Sequence, residues 1–206
     1  MSKKVGIFSI LLGMACLLAS AGFVFYNRME AQSGAEFSRT LLQDVQENVV
    51  ETAKMESKQP ENATEEVLLD TEPRQMRTIP AGEYESIGIL SIPALELELP
   101  VLTDWSYEKL KKAPCHYYGS CYESDFVIAA HNYPSHFGRL SQLQPGDSVL
   151  FTDGAGEVHY YEVVLLETLQ PTATEEMITS GFDLSLYTCT PGGSNRVTLR
   201  CRRVNG

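Results

Sequence analysis

The chain is short of several residue types. Its 206 residues hold one tryptophan, four histidines and five cysteines. Five cysteines are too few for a disulfide scaffold, so the fold must rest on an apolar core, which 43% hydrophobic residues can supply. Basic residues are also scarce, 16 against 27 acidic, for a net charge of -11. No acidic residue precedes Glu30 and only 13 basic residues follow Arg28, so the body of the chain is strongly acidic. A nucleic-acid binder needs a basic footprint, and this body has none. There is no phosphate-cradling glycine loop and no internal repeat. The length allows one medium domain plus extras, not two full domains.

What is present begins at the N-terminus. Val5 to Tyr26 is an uncharged run of 22 residues, enough for one membrane-spanning helix. Lys3 and Lys4 precede it, which puts residues 1–4 in the cytoplasm and exports the rest. A cleaved secretion signal is the competing reading, with Ala19-Ser20-Ala21 as the cleavage site. The apolar run continues beyond that site through Tyr26, which favours an uncleaved anchor over residues 5–26. Either reading places the body outside the cytoplasm.

Residues 27–84 read as an extracytoplasmic stalk or linker. Phe37, Leu41, Val45 and Val49 recur every fourth residue, one stripe of a helix from about 35 to 57. That stripe is either a juxtamembrane spacer or a self-association face. Lys58 to Pro73 is polar and linker-like. Asn62-Ala63-Thr64 matches a glycosylation triplet, a short and common pattern.

Residues 85–206 differ in texture. Short apolar or alternating runs are divided by Gly, Pro, Asn and Asp. Seven read as strands: Ile87–Ile92, Leu95–Leu102, Phe126–Ala130, Ser148–Thr152, Val158–Glu167, Leu184–Thr190 and Arg196–Arg202. Asp153-Gly154 is a hairpin signal. Tyr107–Lys112 and Phe137–Leu143 are short helical or turn candidates. This pattern predicts an all-β, closed or nearly closed barrel, not a doubly wound sheet.

Chemistry must come from cysteine, histidine and arginine. Cys189 ends a strand-like run and is followed by Thr190-Pro191-Gly192-Gly193. Strand parity puts Leu184, Leu186 and Thr188 on the core face and Cys189 on the other. Arg196 opens the next strand, where an antiparallel return brings it near Cys189. Arg196, Thr198, Arg200 and Arg202 share a face, so Arg200, Arg202 and Arg203 read as solvated charges, one of which could support the site, and Cys201 as a core thiol. His131 follows the strand FVIAA, and a thiol enzyme needs such an acid or base partner. His116, His136 and His159 compete for the role. Cys115, His116 and Cys121 form a local cluster open to three readings: a disulfide, free thiols, or an incomplete metal site.

Three motifs resemble the sortases, the membrane-anchored cysteine transpeptidases of Gram-positive surfaces. IAAHNY places His131 at that family's histidine. SLYTCT, Ser185 to Thr190, resembles its Thr-Leu-x-Thr-Cys signature with Ser185 in the first threonine's place. NRVTLRC places Arg196 at its arginine. IGILSIPALELELPV, Ile87 to Val101, is a weaker match to the first two barrel strands. The resemblance covers residues 85–203 and implies a closed eight-stranded β-barrel, one strand more than the seven read directly. It implies catalysis by Cys189, His131 and Arg196 on an LPxTG-like sorting signal, cleaved between Thr and Gly through a thioester. The acceptor would be an amine on a cell-wall precursor or another protein. No cofactor and no metal are expected. Thr188, Tyr133, His136 and Gly192 are expected around the substrate.

The subclass is read from what is missing. Only 16 residues, Leu169 to Leu184, separate two strands, too few for the class B helical insertion. The pilus-building class usually carries an Asp-Pro-aromatic lid, and Asp104-Trp105 lacks the proline. Class D, or an unclassified relative, fits best. Two other functions compete: a cell-envelope enzyme such as an L,D-transpeptidase, whose arginine lies two residues after its cysteine, and a non-enzymatic anchored β-barrel binding module with an unreactive Cys189.

Overall fold

The computed structural model describes residues 3–56 and 74–204. The linker stretch 58–73 and its glycosylation triplet therefore lie outside the described residues. The apolar N-terminus and the striped segment form one helix, α1 (Lys3–Glu56), of 54 residues, about 80 Å at 1.5 Å per residue. It passes through Ala19–Ala21 without a break. Its apolar part is long enough to cross a membrane, consistent with membrane anchoring.

Nine strands follow: β1 (Ile79–Ala81), β2 (Tyr84–Ile92), β3 (Leu97–Leu102), β4 (Cys115–Tyr118), β5 (Phe126–Ala129), β6 (Ser148–Asp153), β7 (Val158–Leu169), β8 (Leu184–Cys189) and β9 (Arg196–Arg203). Short helices α2 (Tyr107–Leu110) and α3 (Thr174–Ile178) sit between them. The strand order is β1-β2-β3-β4-β5-β8-β9-β7-β6, and β2 also pairs with β6. That last pairing closes β2 to β9 into an eight-stranded barrel, with β1 added at the start of β2. Two pairings, β3–β4 and β5–β8, are parallel, so the barrel is mixed. Closure needs glycine at one point. Gly88 has φ +145°, and a Cβ there would overlap the Thr152 carbonyl oxygen of β6.

The seven strands read from the sequence are all present, each with one end shifted by one to three residues. Leu95 sits in a 3-10 turn before β3. The eighth barrel strand is β4, the CHYY segment. β1 lies before residue 85, in the stretch expected to be linker. The inward faces of the strands supply the core, including Leu90, Ile92, Phe126, Ile128, Phe151, Leu184, Leu186, Leu199 and Cys201, all fully buried. Each such large apolar side chain contributes about 1.5–3 kcal/mol.

The α1 stripe packs against the barrel. Leu41, Val45 and Val49 are buried with Ile79, Ala81, Ile89, Leu102, Ala113 and Cys115. Phe37 packs beside them, edge-on to Tyr84 at 6.1 Å. The stripe lies on a helix as expected, and its apolar face is covered by the barrel of the same chain.

Candidate active site

Cys189 is the last residue of β8, and Arg196 is the first of β9. The two are direct partners in the antiparallel register. Residues opposite one another across such a pair point to the same face, so thiol and guanidinium share a side. The turn between them is tied by Thr190 N–H to Asn195 O at 2.9 Å, Asn195 N–H to Thr190 Oγ1 at 3.0 Å and Gly193 N–H to Thr190 O at 2.8 Å. The Arg196 Nη1 donates to the Gly193 and Asn195 carbonyls, each at 3.3 Å.

His131 arrives on the other side of β8. β5 and β8 run parallel, with Phe126 beside Leu184 and Ala129 beside Tyr187. The pairing persists one residue further, where Ala130 N–H donates to Tyr187 O at 3.1 Å. One more step on this register would set His131 level with Cys189, so β5, β8 and β9 end on the same edge of the barrel. His131 Nδ1 lies 3.3 Å from Asn132 Oδ1.

Two concavities meet at Cys189. One, a cleft of about 140 Å³, is walled by Trp105, Tyr117, Tyr187, Met177 and Arg196 among others. Its aromatic side is continuous: Trp105 to Tyr117 is 5.7 Å between centroids, and Tyr117 to Tyr187 is 5.3 Å, edge-to-face. The other concavity is lined by Asn132, Phe137, Gly138, Ser141, Thr188, Pro191 and Val197. Of the residues expected around the substrate, Thr188 lines this wall, with its hydroxyl buried and unpartnered. Gly192 is exposed in the turn at φ +85°. Tyr133 and His136 are buried and line neither concavity; Tyr133 stacks on His131 and lies beside His136. The aromatic wall was not read from the sequence, although Trp105, as the single tryptophan, was a signal for it.

Arg200 corrects an expectation. It is 2% exposed, not a solvated charge. Its guanidinium donates to Glu167 Oε1 at 2.7 Å, Ser185 Oγ at 2.8 Å, Glu176 O at 2.8 Å and Met177 O at 3.3 Å. The two carbonyls belong to α3, which packs outside the barrel against Val127 of β5 and Tyr187 of β8. This also gives Ser185 a role: the position needs a hydroxyl acceptor, which serine supplies as threonine would. Arg202 fits its expectation, half-exposed with Nη1 on Gly181 O at 2.5 Å, whereas Arg203 reaches back to the Cys121 carbonyl.

The Cys115–His116–Cys121 cluster does not come together. Both cysteines are buried free thiols, and burial pushes each up to about 12. The His116 ring bridges the Thr103 and Gly119 carbonyls at 3.2 and 2.8 Å. Cys121 instead neighbours Asp153 and His159, with ligand atoms within 4.8 Å of one another. This is the group of described residues with metal-binding spacing. Its carboxylate is already committed: Asp153 Oδ2 accepts from Tyr122 Oη at 2.7 Å and His159 Nε2 at 3.1 Å, and Oδ1 accepts from the Ala155 and Glu157 N–H groups. Burial alone would raise the Asp153 pKa, and these donors overcome it to bring it to about 2.

A partly exposed cysteine at a strand end, paired in register with an arginine and opening on a cleft, suits cysteine acyl transfer. The comparisons place it further. The sortase-domain family model matches residues 90–204. Sortase D of Bacillus subtilis (strain 168) is 26% identical over 150 residues, 70% of this chain and 75% of the relative. A sortase A structure from Corynebacterium diphtheriae is 25% identical at TM-score 0.54, covering 60% of this chain and 63% of that one, just under two thirds of its length. A Clostridium perfringens sortase D5 transpeptidase shares the fold at TM-score 0.59 and 16% identity, covering 82% and 99%. This chain belongs to the sortase family of cysteine transpeptidases.

Proposed function

We propose that the chain cleaves an LPxTG-like sorting signal between Thr and Gly and transfers the new carboxyl end to an amine. The observation that supports this is the register pairing of Cys189 with Arg196 at an aromatic-walled cleft, beside the strand that leads to His131. The Cys189 thiolate adds to the threonine carbonyl carbon. Arg196, on the same face, stabilises the oxyanion or holds the substrate backbone. The C–N bond then breaks, and imidazolium at His131 gives its proton to the departing glycine amine. A thioester and neutral imidazole remain. The acceptor amine attacks the thioester, His131 takes its proton, and the thiolate is restored. The apolar cleft beside Trp105, Tyr117 and Met177 suits the leucine and proline of the signal.

The organisation follows: residues 1–4 cytoplasmic, 5–26 in the membrane, 27–84 connecting, and 85–206 catalytic. Partners are surface proteins bearing sorting signals, together with an amine of a peptidoglycan precursor or a pilin lysine. The test is intact mass after incubation with a panel of sorting peptides, wild type beside Cys189→Ala. An adduct of the peptide's N-terminal part on wild type, absent in the variant, is the expected result. No adduct with any peptide, and a Cys189 inert to iodoacetamide in a folded domain, would overturn the reading in favour of a binding module.

A further inference from the structure

We propose that Tyr133 and the juxtamembrane turn of α1 from Glu30 to Gly34 form a positioning support for the His131 imidazole. The proposal rests on the acid–base role given to His131 above. A general acid must be aimed to within a fraction of an ångström. His131 has one direct side-chain bond in its favour, the 3.3 Å contact to its neighbour Asn132. The broad contact is Tyr133, whose ring stacks on the imidazole at 4.4 Å with an interplanar angle of 4°.

Tyr133 is in turn held by the anchor helix. Gly34 is buried against it. A Cβ at Gly34 would lie 2.5 Å from the Lys111 carbonyl oxygen and 3.2 Å from Tyr133 Cε2, so only glycine permits this approach. One turn earlier Glu30 pairs with Lys111 at 2.8 Å, which draws the Glu30 pKa below its ordinary value. Glu30 lies four residues past Tyr26, the end of the apolar run. The support of the active site therefore begins within about one helical turn of the membrane segment.

The Tyr133 hydroxyl is buried and faces Glu30, which helps to push the Tyr133 pKa up and to draw that of Glu30 down. The ring is the part of this side chain that reaches His131. His136 lies beside it, 5.5 Å between centroids, fully buried and next to the Gly34 backbone. Burial, with nearby His131, pushes His136 down to about 4, so it is neutral at pH 7. The titratable groups that face His131 are Glu30 from α1 and Tyr133 and His136 on its own loop.

The test uses the full chain in detergent micelles or nanodiscs, with folding checked by circular dichroism. Tyr133→Leu and Tyr133→Ala should lower kcat by roughly tenfold or more with KM within about twofold. Tyr133→Phe, which keeps the ring, should recover most of the rate. Gly34→Val should reproduce the kcat loss and add nothing to Tyr133→Ala, because both act through one stack. With ¹³C-labelled histidine, the His131 signals should move in Tyr133→Ala and Gly34→Val but not in Tyr133→Phe. Equal rates for Tyr133→Leu and Tyr133→Phe, independent losses in the double variant, or unmoved His131 signals would overturn the proposal. If wild type forms no acyl-enzyme, the transpeptidase reading fails and the histidine signals still decide the support. If Tyr133→Ala does not fold, Gly34→Val against Tyr133→Phe carries the decision.

Discussion

Arg200→Met is the perturbation whose size the structure sets best. The guanidinium is 2% exposed and donates four hydrogen bonds, three of them at 2.7–2.8 Å. Each bond from a charged donor is worth about 1.5–3 kcal/mol. Methionine fills much of the space, and Glu167, about a third exposed, returns to water, so the pair itself recovers part of its loss. What is not recovered is Ser185 and the α3 carbonyls. The net cost should be about 3–5 kcal/mol, the range for breaking a buried pair from one side. For a domain of this size that lowers Tm by roughly 10 °C. The second effect is local. Arg200 ties down α3, and Thr174 and Met177 of α3 line the cleft beside Cys189. Sorting-peptide KM should therefore rise several-fold, while alkylation of Cys189 by iodoacetamide changes little. Thermal unfolding and peptide kinetics on the same preparation check both. A Tm within two degrees or so of wild type would refute the energetic reasoning. A destabilised variant with unaltered KM would refute the claim that Arg200 holds the cleft wall.

Two further outcomes follow from the titrating groups. Asp153 has a folded pKa of about 2 against about 3.9 unfolded, so it contributes about 2 kcal/mol that is fully present above pH 4 and lost as pH falls toward 2. Asp153→Asn should cost about that much at pH 7 and flatten the acid limb of a stability–pH curve; an unchanged limb would contradict the stabilising role of the four donors on Asp153. In a Cys16→Ser background in nanodiscs, iodoacetamide at pH 7 should label Cys189 alone, because Cys115, Cys121 and Cys201 are buried and pushed up to about 12. Mass analysis showing rapid modification of any of those three would contradict the core packing.

The sequence made the barrel strands legible because each carries its own alternation and is closed by its own turn residues. β4 escaped because four residues, Cys115–Tyr118, give too little alternation, and because Cys115 and His116 drew attention as ligands. β1 escaped because Ile-Pro-Ala is three residues long with proline in the middle; only its pairing with Ser86, Glu85 and Tyr84 makes it a strand. The placement of Cys189 and Arg196 was readable because both lie on one hairpin, where seven residues of separation fix the register. His131 is 58 residues upstream of Cys189, and its approach depends on the parallel β5–β8 pairing, which no local pattern encodes.

Arg200 shows where strand parity stops being informative. Alternation correctly put it on the face opposite Leu199 and Cys201. Whether that face meets water depends on a separate element, α3, and on Glu167 two strands away in sequence order. The same reasoning applies to α1. Its four-residue stripe was visible, but a stripe specifies only that something covers it. Here the cover is the catalytic barrel, and Gly34 carries the contact to the ring beneath His131. In this chain α1, Tyr133 and His131 are thus in one continuous packed contact. On the support proposed for His131, a change in how α1 leaves the bilayer is felt first at Tyr133 and then at His131, before it disturbs the barrel core.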